Sequence, residues 1–182
     1  MGAFRARDLL RVPGLLSLAR VPLAAVFPFV VERPVLATAV LLAAGFSDVL
    51  DGWYARRFGQ VTPTGSLIDP VTDKIFVLTV VVTLVEGRYL APLDVLLLGT
   101  REVGELPLVL WLALSREARS RRAASTTANV PGKVATALQF GAAGAALFHV
   151  AHLPWLIELT AAAGAVAAAS YWVREVRTVR RA

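Results

Sequence analysis

Apolar residues along this chain gather in long unbroken stretches. Six stand out, over residues 13–31, 35–57, 66–85, 90–114, 133–150 and 154–173. Each has the length of a bilayer crossing, which takes about 20 mainly apolar residues as a helix. Alanine and leucine dominate and no stretch alternates with period two, so helices are predicted and not barrel strands. Pro34, Pro92 and Pro154 stand where helices begin, a place that suits a residue lacking its N–H. Pro22, Pro28 and Pro107 fall inside stretches and predict kinks. Residues 3–12 mix basic and apolar side chains at helical spacing and read as a short amphipathic helix on the membrane surface.

Composition strengthens the membrane reading. Of the 182 residues 57% are apolar and only 18% charged, against about 25% charged in a soluble domain. So little polar surface cannot cover a soluble globule of this size. Cysteine is absent, which excludes disulfide scaffolds, iron–sulfur clusters and thiolate zinc sites. Lys and Arg number 19 against 13 Asp and Glu, and on so apolar a chain that excess points to anionic lipid and not to nucleic acid.

The charges also give an orientation. Fourteen basic residues fall before the first stretch, at the end of the second, between the fourth and fifth or at the start of the fifth, and after the sixth. The other side holds two, Arg33 and Arg88. The positive-inside rule then puts both termini in the cytoplasm. Residues 1–182 thus read as one all-α domain, an integral membrane bundle of six transmembrane helices preceded by the surface helix. The first stretch has no convincing cleavage site and reads as a retained helix.

Four carboxylates break the apolar pattern. Asp48 and Asp51 lie three apart near the cytoplasmic end of the second stretch, and Asp69 and Asp73 four apart near that of the third. Each pair shares a helix face. The helices are antiparallel across a short loop, so the two pairs reach a similar depth and can face each other. A carboxylate at mid-membrane costs about 2.5–3.5 kcal/mol, and four at close quarters repel. Hard divalent cations with oxygen ligands, Mg²⁺ or Mn²⁺, resolve this, and four carboxylates are enough for two. Gly52 and Ala55 keep one helix face low for a ligand, and Arg56 is placed to bind phosphate bidentately.

From Asp48 to Asp73 these residues read D-x2-D-G-x2-A-R-x8-G-x3-D-x3-D. That pattern resembles, without departure, the defining motif of the CDP-alcohol phosphotransferase family. The resemblance implies six transmembrane helices, a CDP-linked donor such as CDP-diacylglycerol, an alcohol acceptor, release of CMP and two divalent metal ions. It further implies that Asp48, Asp51, Asp69 and Asp73 ligate the metals, with Asp73 also the base for the acceptor hydroxyl. Gly52, Ala55, Arg56 and Gly65 would line the CDP site, joined by Thr62 in the loop. A homodimer is implied by the resemblance alone.

The acceptor is less closely specified. The segment Pro13-Gly-Leu-Leu-Ser-Leu-Ala-Arg20 is similar to the first helix of bacterial phosphatidylglycerophosphate synthases, with Gly14 and Ser17 as departures. That likeness implies a bacterial plasma membrane and glycerol 3-phosphate as acceptor. Arg20, Arg101 and Lys133 are the candidate cations for its phosphate. Arg101 is equally placed to pair with Glu105 at i, i+4, and Lys133 to anchor a helix start. Ala135 stands where those synthases usually carry a second lysine, which would suit phosphatidylglycerol, as in the related cardiolipin synthases. Inositol phosphate and serine are further alternatives.

A small ion transporter fits worse, because the carboxylates gather at one end and the other stretches offer no continuous polar path. His149 and His152 share a face but have no third ligand nearby in sequence. Trp53, Tyr54, Tyr89, Trp111, Trp155, Tyr171 and Trp172 lie near stretch ends, as an interfacial belt would.

Overall fold

Proline and glycine decide where the long apolar stretches break. The computed structural model describes residues 12–59, 63–114 and 130–180, and every regular element among them is a helix. The first stretch forms α1 (Val12–Leu18) and α2 (Arg20–Val30), interrupted at Ala19. Pro22 has no N–H for the Leu18 carbonyl, and its ring crowds that carbonyl. Ala19 N still donates to Leu15 O at 2.9 Å and Leu23 N to Ala19 O at 3.3 Å, so the interruption is confined to one turn.

Helices α3 (Pro34–Arg57) and α4 (Pro63–Glu86) run 24 residues each. The fourth stretch, expected as one helix, is two: α5 (Pro92–Leu98) and α6 (Thr100–Leu114). They meet at Gly99, and the Thr100 hydroxyl there donates to Leu97 O at 2.6 Å. Helices α7 (Val130–Leu147) and α8 (Leu153–Arg180) complete the described elements. Residues 3–11 of the expected surface helix lie outside the described residues, as do Arg116, Arg119, Arg121 and Arg122, whereas Val12 begins α1.

Three described stretches are long and apolar enough to cross a bilayer: Val12–Val30, Pro34–Ala55 and Leu153–Arg174. The others fall short for visible reasons. Helix α4 carries Asp69, Asp73 and Lys74 within its sequence, α5 is cut short by the break at Gly99, and α7 carries Lys133, Gln139 and three glycines.

The chain divides into two compact units, one ending at Leu90 and one beginning at Ala91. In the first, α1 and α2 pack against α3 and α4. The buried positions form stripes at spacings of three and four: Ser17, Arg20, Ala24, Phe27 and Val31, then Ala37, Leu41, Ala44, Ser47 and Asp51. Thr72, Phe76, Val80 and Leu84 make a third, at spacing four. One helix face therefore turns inward along its whole length. Each stripe is apolar over most of its course and polar at one end, where Ser17, Arg20, Ser47, Asp51 and Thr72 lie.

In the second unit α8 packs against α5, α6 and α7, and small residues set the spacing. A Cβ at Gly104 would stand 2.8 Å from the Ala168 Cβ, and one at Gly164 would stand 3.0 Å from the Arg101 backbone nitrogen. Ala135, Ala142, Ala146, Ala167 and Ala168 are buried on the same helices. Helices that meet through small residues approach closely and gain dispersion contacts, which replace the hydrophobic drive absent between helices in lipid.

Candidate active site

The polar ends of the first unit's stripes converge. Arg20, at the start of α2, is 1% exposed, and its Nη2 donates to Asp51 Oδ2 at 2.5 Å and reaches Asp48 Oδ1 at 2.8 Å. Ser17, fully buried on α1, has its Oγ 2.9 Å from Asp51 Oδ2 and 2.6 Å from Asp69 Oδ1. The Pro13 carbonyl lies a further 3.0 Å from that hydroxyl. A hydroxyl has one proton, so Ser17 donates to one of these acceptors at a time.

One hydroxyl thus links a carboxylate of α3 to a carboxylate of α4. The Ser47 hydroxyl fastens the same region by donating to Leu16 O at 2.7 Å, which ties α3 to α1. Asp51 is buried, whereas the Asp48 side chain is 59% exposed, so the cluster has a closed side and an open one. Asp73, four residues beyond Asp69 on α4, is exposed. Arg20 Nε and Nη1 are buried and have no hydrogen-bond partner among the described residues.

This donor set suits a hard divalent cation: it is anionic, all oxygen, and drawn from two helices. It is not a closed cage, because among the described residues no three acidic or histidine side chains are grouped to hold one ion. Ser17 and Arg20 stand among the carboxylates. Gly52 and Ala55 follow on α3 and are partly buried, Arg56 lies on α3 and Gly65 on α4. Thr62 lies outside the described residues.

A second arginine centre belongs to the other unit. Arg101 on α6 donates from Nε to Glu105 Oε1 at 3.0 Å and from Nη1 to Thr136 Oγ1 at 2.7 Å and Gly132 O at 3.3 Å. Its guanidinium carbon lies 5.9 Å from the centre of the Tyr171 ring, and that of Arg174 lies 5.4 Å from the same ring. The Glu105 pairing that the sequence offered does form, and Thr136 and Gly132 on α7 join it. Tyr171, expected in an interfacial belt, has both guanidinium groups within cation–π distance of its ring. Lys133, in the first turn of α7, is exposed.

From sequence, Ser17 stands out only as a departure from the synthase segment, with no place in the site. Its signal was present all the same: it stands three positions before Arg20 and so shares its face across the α1–α2 interruption.

The family model described as CDP-alcohol phosphatidyltransferase matches residues 10–173, and the chain belongs to that family. Among curated relatives, a cardiolipin synthase (CMP-forming) of Streptomyces coelicolor is 34% identical over 108 residues, 55% of this chain and 50% of the relative. A CDP-diacylglycerol–glycerol-3-phosphate 3-phosphatidyltransferase of Pseudomonas fluorescens is 33% identical over 111 residues, 57% of each. A protein of the same description from Bacillus subtilis is 30% identical over 155 residues, 76% of this chain and 77% of the relative. In the first two of these the match spans about half of the relative's length.

Proposed function

We propose that this chain is a membrane enzyme that transfers the phosphatidyl group of CDP-diacylglycerol to glycerol 3-phosphate and releases CMP. The observation that carries the reading is the convergence of Asp48, Asp51 and Asp69 on Ser17 and Arg20 in a chain of this family. The names of the Pseudomonas and Bacillus relatives state both substrates.

Asp48, Asp51, Asp69 and Asp73 hold two divalent cations, Mg²⁺ or Mn²⁺, whose chemistry when bound is to offset charge on the diphosphate and on departing CMP. Asp73 accepts the proton of the acceptor hydroxyl as that oxygen bonds to the phosphatidyl phosphorus. The bond from that phosphorus to the CMP oxygen breaks, and CMP leaves with the electron pair. Gly52, Ala55, Thr62 and Gly65 line the CDP site, and Arg56 takes a donor phosphate through its planar fork. Arg101 and Lys133 supply positive charge for the acceptor phosphate.

The whole chain acts as one domain with six spans, both termini and the site on the cytoplasmic side of a bacterial plasma membrane. The fourteen-to-two division of basic residues supports that orientation, and a family match running from residue 10 to 173 supports the single domain. Basic loops meet anionic lipid, and the working form is a homodimer.

A second reading has its own support. Ala135 is fully buried and uncharged where a second lysine was expected, and one relative is a cardiolipin synthase. Phosphatidylglycerol would then be the acceptor. The test is CMP release by purified protein with CDP-diacylglycerol and Mn²⁺, adding glycerol 3-phosphate, phosphatidylglycerol, serine or inositol phosphate singly. Release with glycerol 3-phosphate alone is expected. Release with phosphatidylglycerol alone moves the assignment to the second reading, and no release with any acceptor sinks both.

A further inference from the structure

We propose that Arg20 is a built-in counter-cation that competes with divalent metal for Asp48 and Asp51 and so sets how tightly the site holds it. The metal site proposed above is its premise. Three observations carry the step beyond it. Arg20 is 1% exposed, so its charge is poorly screened by solvent. A single nitrogen, Nη2, touches oxygens of both carboxylates at 2.8 and 2.5 Å, and these are oxygens a cation would use. Its Nε and Nη1 hydrogen-bond to nothing among the described residues, so the side chain is held by these two acids and by packing.

The charge balance follows directly. Asp48, Asp51, Asp69 and Asp73 with Arg20 carry a net charge of about minus three, to be set against the four positive charges of two divalent cations. Without Arg20 the same four acids carry about minus four, and their attraction for cations rises. Ser17 differs in kind, because it bridges Asp51 and Asp69 without adding charge. Arg20 acts through the carboxylates and is in this respect a positioning residue. Its value to the site is to keep the acids gathered and compensated while leaving them open to exchange, where an uncompensated cluster would hold its metal too firmly or take up protons.

The experiment measures Mn²⁺ affinity of the full chain in detergent, from the loss of the free-ion paramagnetic resonance signal. Wild type is compared with Arg20→Gln, Arg20→Lys, Ser17→Ala and Asp51→Asn. Arg20→Gln is expected to bind Mn²⁺ at least about tenfold tighter, and Arg20→Lys to stay within about threefold of wild type because it keeps the charge. Ser17→Ala should weaken binding slightly.

An unchanged or weakened affinity in Arg20→Gln overturns the proposal. Should that variant fail to fold, Arg20→Lys decides: a tenfold tightening there shows that geometry, and not charge, governs the affinity, and overturns it equally. If wild type and Asp51→Asn bind Mn²⁺ alike, the underlying metal reading fails instead, and the two failures are told apart by that variant.

Discussion

Two arginines, one in each unit, are treated in opposite ways. Arg20 is buried, gives one nitrogen to two carboxylates, and has two nitrogens with no hydrogen-bond partner among the described residues. Arg101 is partly exposed and held on several sides, by Glu105, Thr136, the Gly132 carbonyl and the face of Tyr171. The first arginine serves its neighbours, which are acids that need compensation. The second is served by its neighbours, which fix a guanidinium in one pose. A pose fixed from behind is what binding an anionic group requires, since ordering the side chain beforehand lowers the entropy lost on binding. The cores differ in the same sense: Phe27, Phe76 and Leu84 fill the first unit, whereas Gly104, Gly164 and alanines draw the helices of the second together around Arg101.

Breaking each centre should reveal this difference. Asp51→Ala should have the largest effect, because it strips Arg20 of its closest partner inside the fold. A loss of about 3–5 kcal/mol in stability is expected from an uncompensated buried charge, together with loss of measurable CMP release. Thermal unfolding in detergent beside the activity assay checks both. Asp73→Asn separates the two consequences, since Asp73 is exposed. Activity should fall by about a hundredfold or more, as removal of a general base does, with the melting temperature close to wild type.

Arg101→Lys is expected next in size. Lysine cannot reproduce the planar fork that meets Glu105 and Thr136 together, so the KM for glycerol 3-phosphate should rise by about tenfold while the apparent affinity for CDP-diacylglycerol holds. An equal change for both substrates would contradict a role specific to the acceptor. Gly104→Ala should cost about 1–3 kcal/mol through overpacking, because the added Cβ meets Ala168 at 2.8 Å. Thr136→Val removes two hydrogen bonds of its hydroxyl, one accepted from Arg101 and one donated to Gly132 O, at about 0.5–1.5 kcal/mol each, and sharpens the comparison by loosening Arg101 without removing it.

Much of this was legible from sequence, and for identifiable reasons. Local spacing placed Asp48 with Asp51 and Asp69 with Asp73 on shared faces, and a short connection brought the two faces to one depth, as Ser17 bridging Asp51 and Asp69 bears out. Pro22 announced its interruption. The break at Gly99 did not announce itself, because one glycine in an apolar stretch is compatible with an unbroken helix. Arg20 was expected among the acceptor's cations, yet its nearest partners are Asp48 and Asp51. Periodicity says which face a residue occupies but not which distant helix packs on that face. The same gap hid the meeting of Arg101 with Thr136 and Tyr171, which joins three helices far apart in sequence.

The most direct test is the metal dependence of CMP release from CDP-diacylglycerol, with glycerol 3-phosphate as acceptor, in wild type and Asp73→Asn. Release that requires Mn²⁺ or Mg²⁺, stops on chelation, returns when metal is restored and is lost in the variant is the predicted result. Release that persists in chelator, or that survives unchanged in Asp73→Asn, would contradict the proposed chemistry.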